Sequence, residues 1–190
     1  DVNIAFANEL SMVADRMGLD VWEVIRLANR HPRVNILQPG PGVGGHCIAV
    51  DPWFIVASAP DDTPLIRTAR NVNDQKMHHV IDRATTQIEN LVAVNPKARV
   101  ACLGLAFKAN IDDFRESPAR FVAARIARKF GDRVSVVEPY AAALPIEFSD
   151  TGASMIDLDP ALETCDMLLV MVDHDVFRVR SEEHTSELQS

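Results

Sequence analysis

The residues with the clearest chemical potential lie in one glycine-rich stretch in the first quarter of the chain. Four of the eight glycines fall between Gly40 and Gly45, and Cys47 follows shortly after them. Glycine accepts backbone conformations that other residues avoid, and consecutive N–H groups in such a loop can bind an anionic oxygen. A cysteine at the end of this loop is placed to meet a ligand, and its thiolate is a nucleophile. The stretch therefore predicts covalent chemistry on Cys47.

Two neighbours of Cys47 favour this chemistry. His46 can stabilise a thiolate, and Asp51, four residues after the cysteine, can orient or deprotonate a water molecule. A structural interpretation stays open, because lone cysteines are often small core residues and glycine-rich loops are often tight turns. Zinc binding by these residues with His78 and His79 is not favoured, since structural zinc sites use Cys and His pairs at short fixed spacing. We predict no metal.

Composition limits the remaining classes of function. Cys102 and Cys165 lie in or beside apolar runs and are predicted core residues, so the three cysteines do not predict a disulfide framework. The formal charge of −8 argues against nucleic acid as a partner, because phosphate binding needs clustered Lys and Arg. The longest apolar runs are far shorter than the roughly 20 residues that span a bilayer. We expect a cytoplasmic protein with no nucleic-acid or membrane partner.

Helices are the first elements that the sequence predicts around the glycine-rich stretch. Apolar residues recur at helical spacing near the start of the chain, at Phe6, Leu10, Val13 and Met17. Gly18 and Asp20 then predict the end of this helix and the N-cap of the next. The second helix is predicted over residues 21–29. It is expected to end there because Pro32 disfavours helical backbone in the residue before it.

A long helix is predicted further along, after an irregular stretch that contains the glycines. Asp62 or Thr63 can cap it, Pro64 suits its first position, and apolar residues recur at helical spacing as far as Leu91. Such a length suits a domain connector or a dimer seam. We therefore predict a helical domain over residues 1–95.

Beyond residue 95 the pattern changes to alternating strands and helices. Short apolar runs at 99–103, 134–137 and 167–172 predict strands, and residues 118–130 and 160–164 predict helices. Strands that alternate with helices form a parallel sheet with right-handed crossovers. The predicted fold class is therefore α/β, with a sheet domain over residues 96–179 following the helical one.

Both ends of the chain are expected to depart from a complete native protein. Residues 1–6 already follow a helical apolar rhythm without an initiator Met, so we expect the chain to begin inside a larger protein. Residues 180–190 are polar and aperiodic, and they resemble the in-frame translation of a sequencing-adapter oligonucleotide. We predict that they form a non-native tail outside the fold.

Two stretches resemble one known enzyme family. Residues 40–52, with the sequence GPGVGGHCIAVDP, resemble the active-site segment of the UDP-glucose/GDP-mannose dehydrogenase family. Residues 104–118, with the sequence GLAFKANIDDFRESP, resemble the segment at the start of that family's C-terminal domain. The resemblance extends from Asp1 to about Arg178. It implies a central helical domain that forms a homodimer, followed by a Rossmann-like domain that helps to bind a UDP-sugar.

The family oxidises the C6 alcohol of a nucleotide sugar to a carboxylate with two NAD+, which yields uronic acids for surface polysaccharides. The oxidation passes through an aldehyde, a thiohemiacetal and a thioester on a cysteine, so that the aldehyde stays bound between the two steps. The resemblance makes Cys47 that nucleophile and Asp51 the carboxylate associated with thioester hydrolysis. It places Gly44 against the sugar and assigns His31 and Arg33 to substrate binding, with Arg33 reaching the neighbouring subunit's sugar site.

Three residues of the second segment take roles from the same resemblance. Phe107 and Lys108 match positions that pack on and bind the nucleotide sugar. Arg115 matches an arginine near the cofactor. Without the resemblance, Lys108 and Arg33 are ordinary solvated cations.

The family's NAD-binding domain is expected to be absent from this chain. A dinucleotide-binding fingerprint, which is a glycine-rich turn between a strand and a helix, is not predicted here, and the family's catalytic lysine and asparagine precede Asp1. We therefore expect NAD to be the cofactor of the whole enzyme and this chain alone to oxidise nothing. Likeness around Cys47 favours UDP-N-acetylmannosamine as the substrate. UDP-N-acetylglucosamine, UDP-glucose and a non-catalytic nucleotide-binding or dimerisation module stay open.

Overall fold

The computed structural model of the chain describes residues 1–178. The chain divides into two compact units, the first over Asp1–Val80 and the second beginning at Ile81. This division lies within one long helix, whereas the sequence division at residue 95 follows the end of that helix. The tail predicted over residues 180–190 lies outside the described part of the chain.

The first unit is built from helices. They are α1 (Val2–Met17), α2 (Val21–Ala28), α3 (Asp51–Ser58) and the beginning of α4 (Pro64–Val94). The junction of α1 and α2 agrees with the sequence prediction. Gly18 is the C-cap with a φ of 66°, a left-handed conformation that glycine adopts without a steric penalty. The Asp20 carboxylate then accepts a hydrogen bond from the Trp22 N–H at 2.9 Å and caps α2.

Helix α1 packs into the first unit with its small residues. The buried side chains are those of Ala5, Ala7, Asn8, Ser11 and Ala14. The larger residues Phe6, Val13 and Met17, whose spacing predicts the helix, are 54%, 47% and 66% exposed. The apolar stripe of α1, formed by these three residues, therefore lies on the outer face of the helix.

Helix α3 forms in a stretch that the sequence predicts to be irregular, so that prediction was wrong over residues 51–58. Residues 53–56 are all apolar and show no helical period, which hid the helix from pattern analysis. Pro52 suits the first turn, because a residue at that position needs no N–H for the helix. Helix α3 follows the glycine-rich stretch directly and positions its end.

Helix α4 is the longest element, with 31 residues and a length of ~46 Å. It begins at Pro64, as predicted, and Ala84 and Ile88 of its predicted apolar stripe are buried. Within residues 1–178, none of the helices, α4 included, combines the length and apolar content that crossing a membrane requires.

The second unit contains a four-stranded parallel sheet with the strand order β3-β2-β1-β4. The strands are β1 (Val100–Leu103), β2 (Val134–Val137), β3 (Ser154–Met155) and β4 (Met167–Val170). Both central strands are fully buried, as expected for continuous apolar runs in a parallel sheet. The α/β class and the strands β1, β2 and β4 are confirmed. Strand β3 was missed because two residues carry no periodic signal.

Helices α5 (Pro118–Phe130) and α6 (Leu158–Thr164) connect these strands. Ser117 caps α5 by accepting the Arg120 N–H at 3.3 Å, and Pro118 occupies its first turn. Short 3₁₀ turns at Gly131–Arg133 and Ile146–Phe148 precede and follow β2. The carboxyl ends of the parallel strands all lie at one edge of the sheet, where ligands bind in folds of this type.

Gly104, which follows β1, lies at a closely packed point of this edge of the sheet. Its φ is 89°, and a Cβ atom at this position would lie 2.5 Å from the Val172 Cβ. We predict that Gly104→Ala lowers the free energy of unfolding by roughly 3 kcal/mol or more, through backbone strain and overpacking together. Urea denaturation followed by circular dichroism measures this loss.

The control for this prediction is Gly18→Ala. Gly18 also has a positive φ, of 66°, but an added Cβ meets nothing within 4 Å. This variant carries the left-handed strain alone, which costs about 1–2 kcal/mol. Equal losses in the two variants would mean that the clash with Val172 has no energetic weight.

Candidate active site

The Cys47 loop, residues 34–50, lies between the turn that follows α2 and the start of α3, and it has no regular structure. Cys47 is exposed at its end. The Cys47 carbonyl accepts hydrogen bonds from the Asp51 N–H at 2.7 Å and the Val50 N–H at 3.1 Å. Cys47 and Asp51 therefore share one turn, as predicted, because the cysteine carbonyl binds the first N–H of α3.

Polar side chains of α1 and α4 hold the Cys47 loop near both ends. Buried Asn8 accepts the Gly40 N–H at 3.0 Å through its Oδ1 atom and donates to Asn73 Oδ1 at 2.9 Å. Arg70, on α4, donates to the Ile48 carbonyl at 3.5 Å, one residue beyond Cys47. A buried polar group is costly unless it is paired, so these bonds fix the path of the loop.

Asn8, Arg70 and Asn73 were missed by sequence reasoning. Their contacts to the loop and to each other join residues up to 65 positions apart, which no local pattern reveals. One signal was present: Asn8 is a polar residue on the small, buried face of α1. A buried asparagine needs several partners, so its position on that face indicates a network.

The glycines of the Cys47 loop do not form a dinucleotide cradle. Gly40, Gly42 and Gly45 have the spacing of a Gly-x-Gly-x-x-Gly fingerprint, but no strand precedes them and α3 begins only at Asp51. Gly42 and Gly45 have positive φ angles of 153° and 83°. Gly44, the glycine assigned to the sugar, is half-buried beside them.

The basic residues predicted to bind substrate lie in the turn after α2. His31 and Arg33 are both exposed, and His31 Nδ1 accepts the Arg33 N–H at 3.3 Å. Asn29 closes the next part of the chain, because its side chain exchanges hydrogen bonds with the Ile36 N–H at 2.7 Å and the Ile36 carbonyl at 2.9 Å. The turn thus presents the imidazole of His31 and the guanidinium of Arg33 to solvent just before the Cys47 loop.

The three thiols occupy different environments. Cys47 is exposed, Cys165 is intermediate and Cys102 is buried in β1. Burial, with a smaller effect of Cys165, raises the pKa of Cys102 to about 12. The prediction that Cys102 is a core residue is confirmed.

In the second unit, Phe107 and Lys108 lie in the loop that leaves the carboxyl end of β1. Phe107 is half-buried, and its N–H donates to the Asp113 carbonyl at 3.1 Å, which closes the loop on itself. Lys108 is exposed. A cation and an aromatic ring at the carboxyl end of a parallel strand suit a nucleotide phosphate and base.

Arg115 forms a two-pronged ion pair with Asp113. Its Nε atom lies 3.0 Å from Asp113 Oδ1, and its Nη2 atom lies 2.6 Å from Oδ2. The hydrogen bond and the charge of Asp113 raise the pKa of the Arg115 guanidinium further above its usual range. Both groups lie near the surface, so water screens this pair.

The predicted site residues thus divide between the units. The first unit holds His31, Arg33, Gly44, Cys47 and Asp51, and the second holds Phe107, Lys108 and Arg115. Within residues 1–178, no group of three or more His, Cys, Asp or Glu side chains is arranged to hold a metal ion.

Two sequence profiles of one family match this chain. The profile of the UDP-glucose/GDP-mannose dehydrogenase family, central domain, matches residues 1–75. The profile of the same family's UDP binding domain matches residues 101–188. The two matches together cover most of the chain.

Similar proteins carry related names. UDP-N-acetyl-D-mannosamine dehydrogenase of Salmonella typhi is 56% identical over 94% of this chain and 43% of its own length. NDP-N-acetyl-D-galactosaminuronic acid dehydrogenase of Ralstonia solanacearum is 54% identical over 94% of this chain and 41% of its own. The structure of UDP-D-ManNAc dehydrogenase from Pyrococcus horikoshii matches with 37% identity and a TM-score of 0.75, over 93% of this chain and 40% of that one. This chain spans less than half the length of each relative.

The environments of the thiols predict a large difference in reactivity. At pH 8 a thiol with a pKa of about 12 is thiolate in roughly one molecule in ten thousand, and Cys102 is also shielded by burial. We predict that iodoacetamide alkylates Cys47 at least about a hundredfold faster than Cys102 in the folded chain. Peptide mass spectrometry after timed quenching measures both rates.

Alkylation in urea is the control, because unfolding exposes all three thiols and should bring their rates together. Similar rates for Cys47 and Cys102 in the folded chain would contradict the assignment of Cys47 as the accessible thiol.

Proposed function

The chain belongs to the UDP-glucose/GDP-mannose dehydrogenase family, and we propose on that premise that it supplies the cysteine and UDP-binding parts of an NAD-dependent nucleotide-sugar 6-dehydrogenase. The observation that supports this most is the geometry at Cys47. An exposed thiol lies at the end of a glycine-rich loop, and its own carbonyl binds the Asp51 N–H at 2.7 Å. Nucleophile and carboxylate are thereby held in one turn at the start of α3.

The chemistry proposed for this turn is the second half of a four-electron oxidation. The Cys47 thiolate adds to the C6 aldehyde of the sugar and forms a C–S bond, giving a thiohemiacetal. When bound, NAD+ would supply the hydride acceptor for both oxidations, the second of which turns the thiohemiacetal on Cys47 into a thioester. A water molecule oriented or deprotonated by Asp51 then attacks the thioester carbon, the C–S bond breaks, and the carboxylate and the free thiol are released.

The substrate proposed is UDP-N-acetyl-D-mannosamine, an N-acetylated amino sugar linked to UDP. The names of the relatives with 56% and 54% identity both contain an N-acetylated sugar, which favours this class over UDP-glucose. We assign Gly44, His31 and Arg33 to the sugar, the last of them to the sugar site of a neighbouring subunit. Arginine suits that task because its planar fork binds two oxygens at once.

Phe107 and Lys108 are assigned to the nucleotide part of the substrate. Lys108 is exposed and can neutralise diphosphate charge, while the half-buried ring of Phe107 offers a surface for packing. Arg115 is assigned a place near NAD+, where the dinucleotide would have to compete with Asp113 for the guanidinium. We propose that the main NAD+ site belongs to another part of the whole enzyme, as the family resemblance implies.

A homodimer through the helical part is also proposed. Phe6, Val13 and Met17 form the exposed apolar stripe of α1, and Trp22 on α2 is 55% exposed. Clustered exposed apolar side chains on a soluble fold mark association sites. A second copy of the chain is the partner that the family resemblance implies.

Activity of the whole enzyme tests the proposed function. With a UDP-N-acetylhexosamine as substrate, we expect two NADH per sugar oxidised and lower kcat/KM with UDP-glucose. Cys47→Ser should reduce turnover by at least about a thousandfold, because the weaker nucleophile cannot form the thioester. Absorbance at the NADH band and mass analysis of the sugar product measure these outcomes.

Cys165→Ser is the matched control, because it removes the partly exposed thiol and should leave turnover unchanged. Turnover like that of the wild type in Cys47→Ser would contradict the proposed function. If substrate also fails to protect Cys47 from alkylation, the non-catalytic nucleotide-binding or dimerisation module is favoured instead.

The dimer is tested by placing a charge in the apolar stripe of α1. Val13→Glu should shift the chain from dimer to monomer in sedimentation velocity, because an unpaired carboxylate is costly to bury in an interface. Arg125→Glu, an exposed charge change on α5, is the control and should leave the dimer intact. A stable dimer in Val13→Glu would place the interface elsewhere.

A further inference from the structure

The clamped loop, residues 104–110, carries Phe107 and Lys108 away from β1 and is fastened by buried polar groups. Glu138 is the first residue after β2 and is only 3% exposed. Its Oε2 atom accepts the Leu105 N–H at 2.6 Å and the Ala106 N–H at 3.2 Å. One carboxylate oxygen thus binds the two amides that immediately precede Phe107.

The other oxygen of Glu138 is also used. Its Oε1 atom accepts the Tyr140 N–H at 3.0 Å. In dinucleotide-binding sheets, an acidic residue near the end of the second strand accepts the hydroxyls of a ribose. Since backbone N–H groups engage both oxygens of Glu138, this carboxylate shapes the protein instead of offering free acceptors to a sugar.

His174 fastens the far end of the clamped loop. It is fully buried, and its Nδ1 atom accepts the Asn110 N–H at 2.9 Å. Because Nδ1 accepts this hydrogen bond, the N–H of the ring lies at Nε2. Nε2 lies 3.4 Å from Glu138 Oε2, close enough for attraction, although it makes no hydrogen bond with any described residue.

The residue held by His174 has a strained backbone. Asn110 has a φ of 62°, in the left-handed region that side chains other than glycine rarely adopt. Its side chain donates to Asp175 Oδ2 at 2.9 Å and accepts the Asp175 N–H at 3.0 Å. Strain of this kind persists only where surrounding contacts overdetermine the conformation.

We infer that Glu138 and His174 are positioning residues that hold the clamped loop in the shape that presents Phe107 and Lys108 to a nucleotide diphosphate. This inference rests on the proposed function, which assigns Phe107 and Lys108 to the nucleotide. The clamp orders the loop before the ligand arrives, so that binding does not have to supply that order. Glu138 and His174 are buried, so they act on the ligand through the loop.

The experiment compares two variants at His174. His174→Phe keeps a ring between Tyr140 and Phe177, whose centroids lie 5.0 and 5.3 Å from the imidazole, but removes the acceptor for the Asn110 N–H. His174→Asn restores an acceptor at the Nδ1 position. We expect His174→Phe to raise the Kd for UDP about tenfold and to accelerate hydrogen exchange at the Leu105, Ala106 and Asn110 amides. His174→Asn should recover most of both effects.

Two further variants keep the test decisive. Ile126→Val trims a buried residue of α5 and should lower stability without changing the Kd for UDP. If His174→Phe does not fold, Glu138→Gln takes its place. That variant keeps the size of the side chain, replaces one acceptor oxygen with an NH2 group that cannot accept an N–H, and should weaken UDP binding in the same direction.

The outcomes distinguish the clamp, meaning the hydrogen bonds from the loop to Glu138 and His174, from the proposed function. Unchanged exchange in His174→Phe overturns the clamp, and faster exchange with an unchanged Kd for UDP overturns the positioning role. If the wild-type chain does not bind UDP at all, the proposed nucleotide function of this unit fails. Exchange at Leu105, Ala106 and Asn110 then decides alone whether the clamp exists.

Discussion

The hydrogen bond from the Asp51 N–H to the Cys47 carbonyl, at 2.7 Å, is the contact on which the candidate site depends. A nucleophilic thiol must be exposed to its substrate and yet fixed in position, and these requirements oppose each other on an irregular loop. The start of α3 reconciles them, because the helix binds the cysteine backbone and leaves the sulfur exposed. Asp51 is the first residue of the helix and lies in the same turn, so the backbone of the helix sets its position next to Cys47.

Buried amides and a buried guanidinium extend this fixation along the loop. Asn8 and Arg70 bind backbone groups at Gly40 and Ile48, and Asn73 links Asn8 to α4. These hydrogen bonds explain why α1 buries small and polar residues rather than its apolar stripe. The inner face of the helix binds the Cys47 loop through Asn8. The apolar stripe is then free for another surface, which is why the same helix supports both a site and a proposed interface.

The sequence predicted the regular elements well where a period or a cap marks them. Gly18 marks the end of α1, and Asp20 and Pro64 mark the starts of α2 and α4. Each acts through local backbone chemistry, which a sequence pattern can detect. Helix α3 and strand β3 were not predicted. The apolar residues 53–56 of α3 show no helical period, and β3 is only two residues long. The glycine-rich pattern predicts Cys47 and Asp51 as site residues. Asn8 and Glu138 could not be predicted, because their partners are distant in sequence and are brought together only by the fold.

Glu138 shows how one fold can serve different ligands with the same residue position. A carboxylate at the end of the second strand can remain free and bind ribose hydroxyls, or it can bind the protein's own amides. In this chain Glu138 binds the protein's own amides. The Leu105 and Ala106 N–H groups, in the loop after β1, are therefore already hydrogen-bonded before any ligand binds. That loop does not present a glycine-rich turn to a pyrophosphate. It presents the cation of Lys108 and the ring of Phe107. A cation beside an aromatic ring suits a nucleotide, and the profile that matches this unit is that of a UDP binding domain.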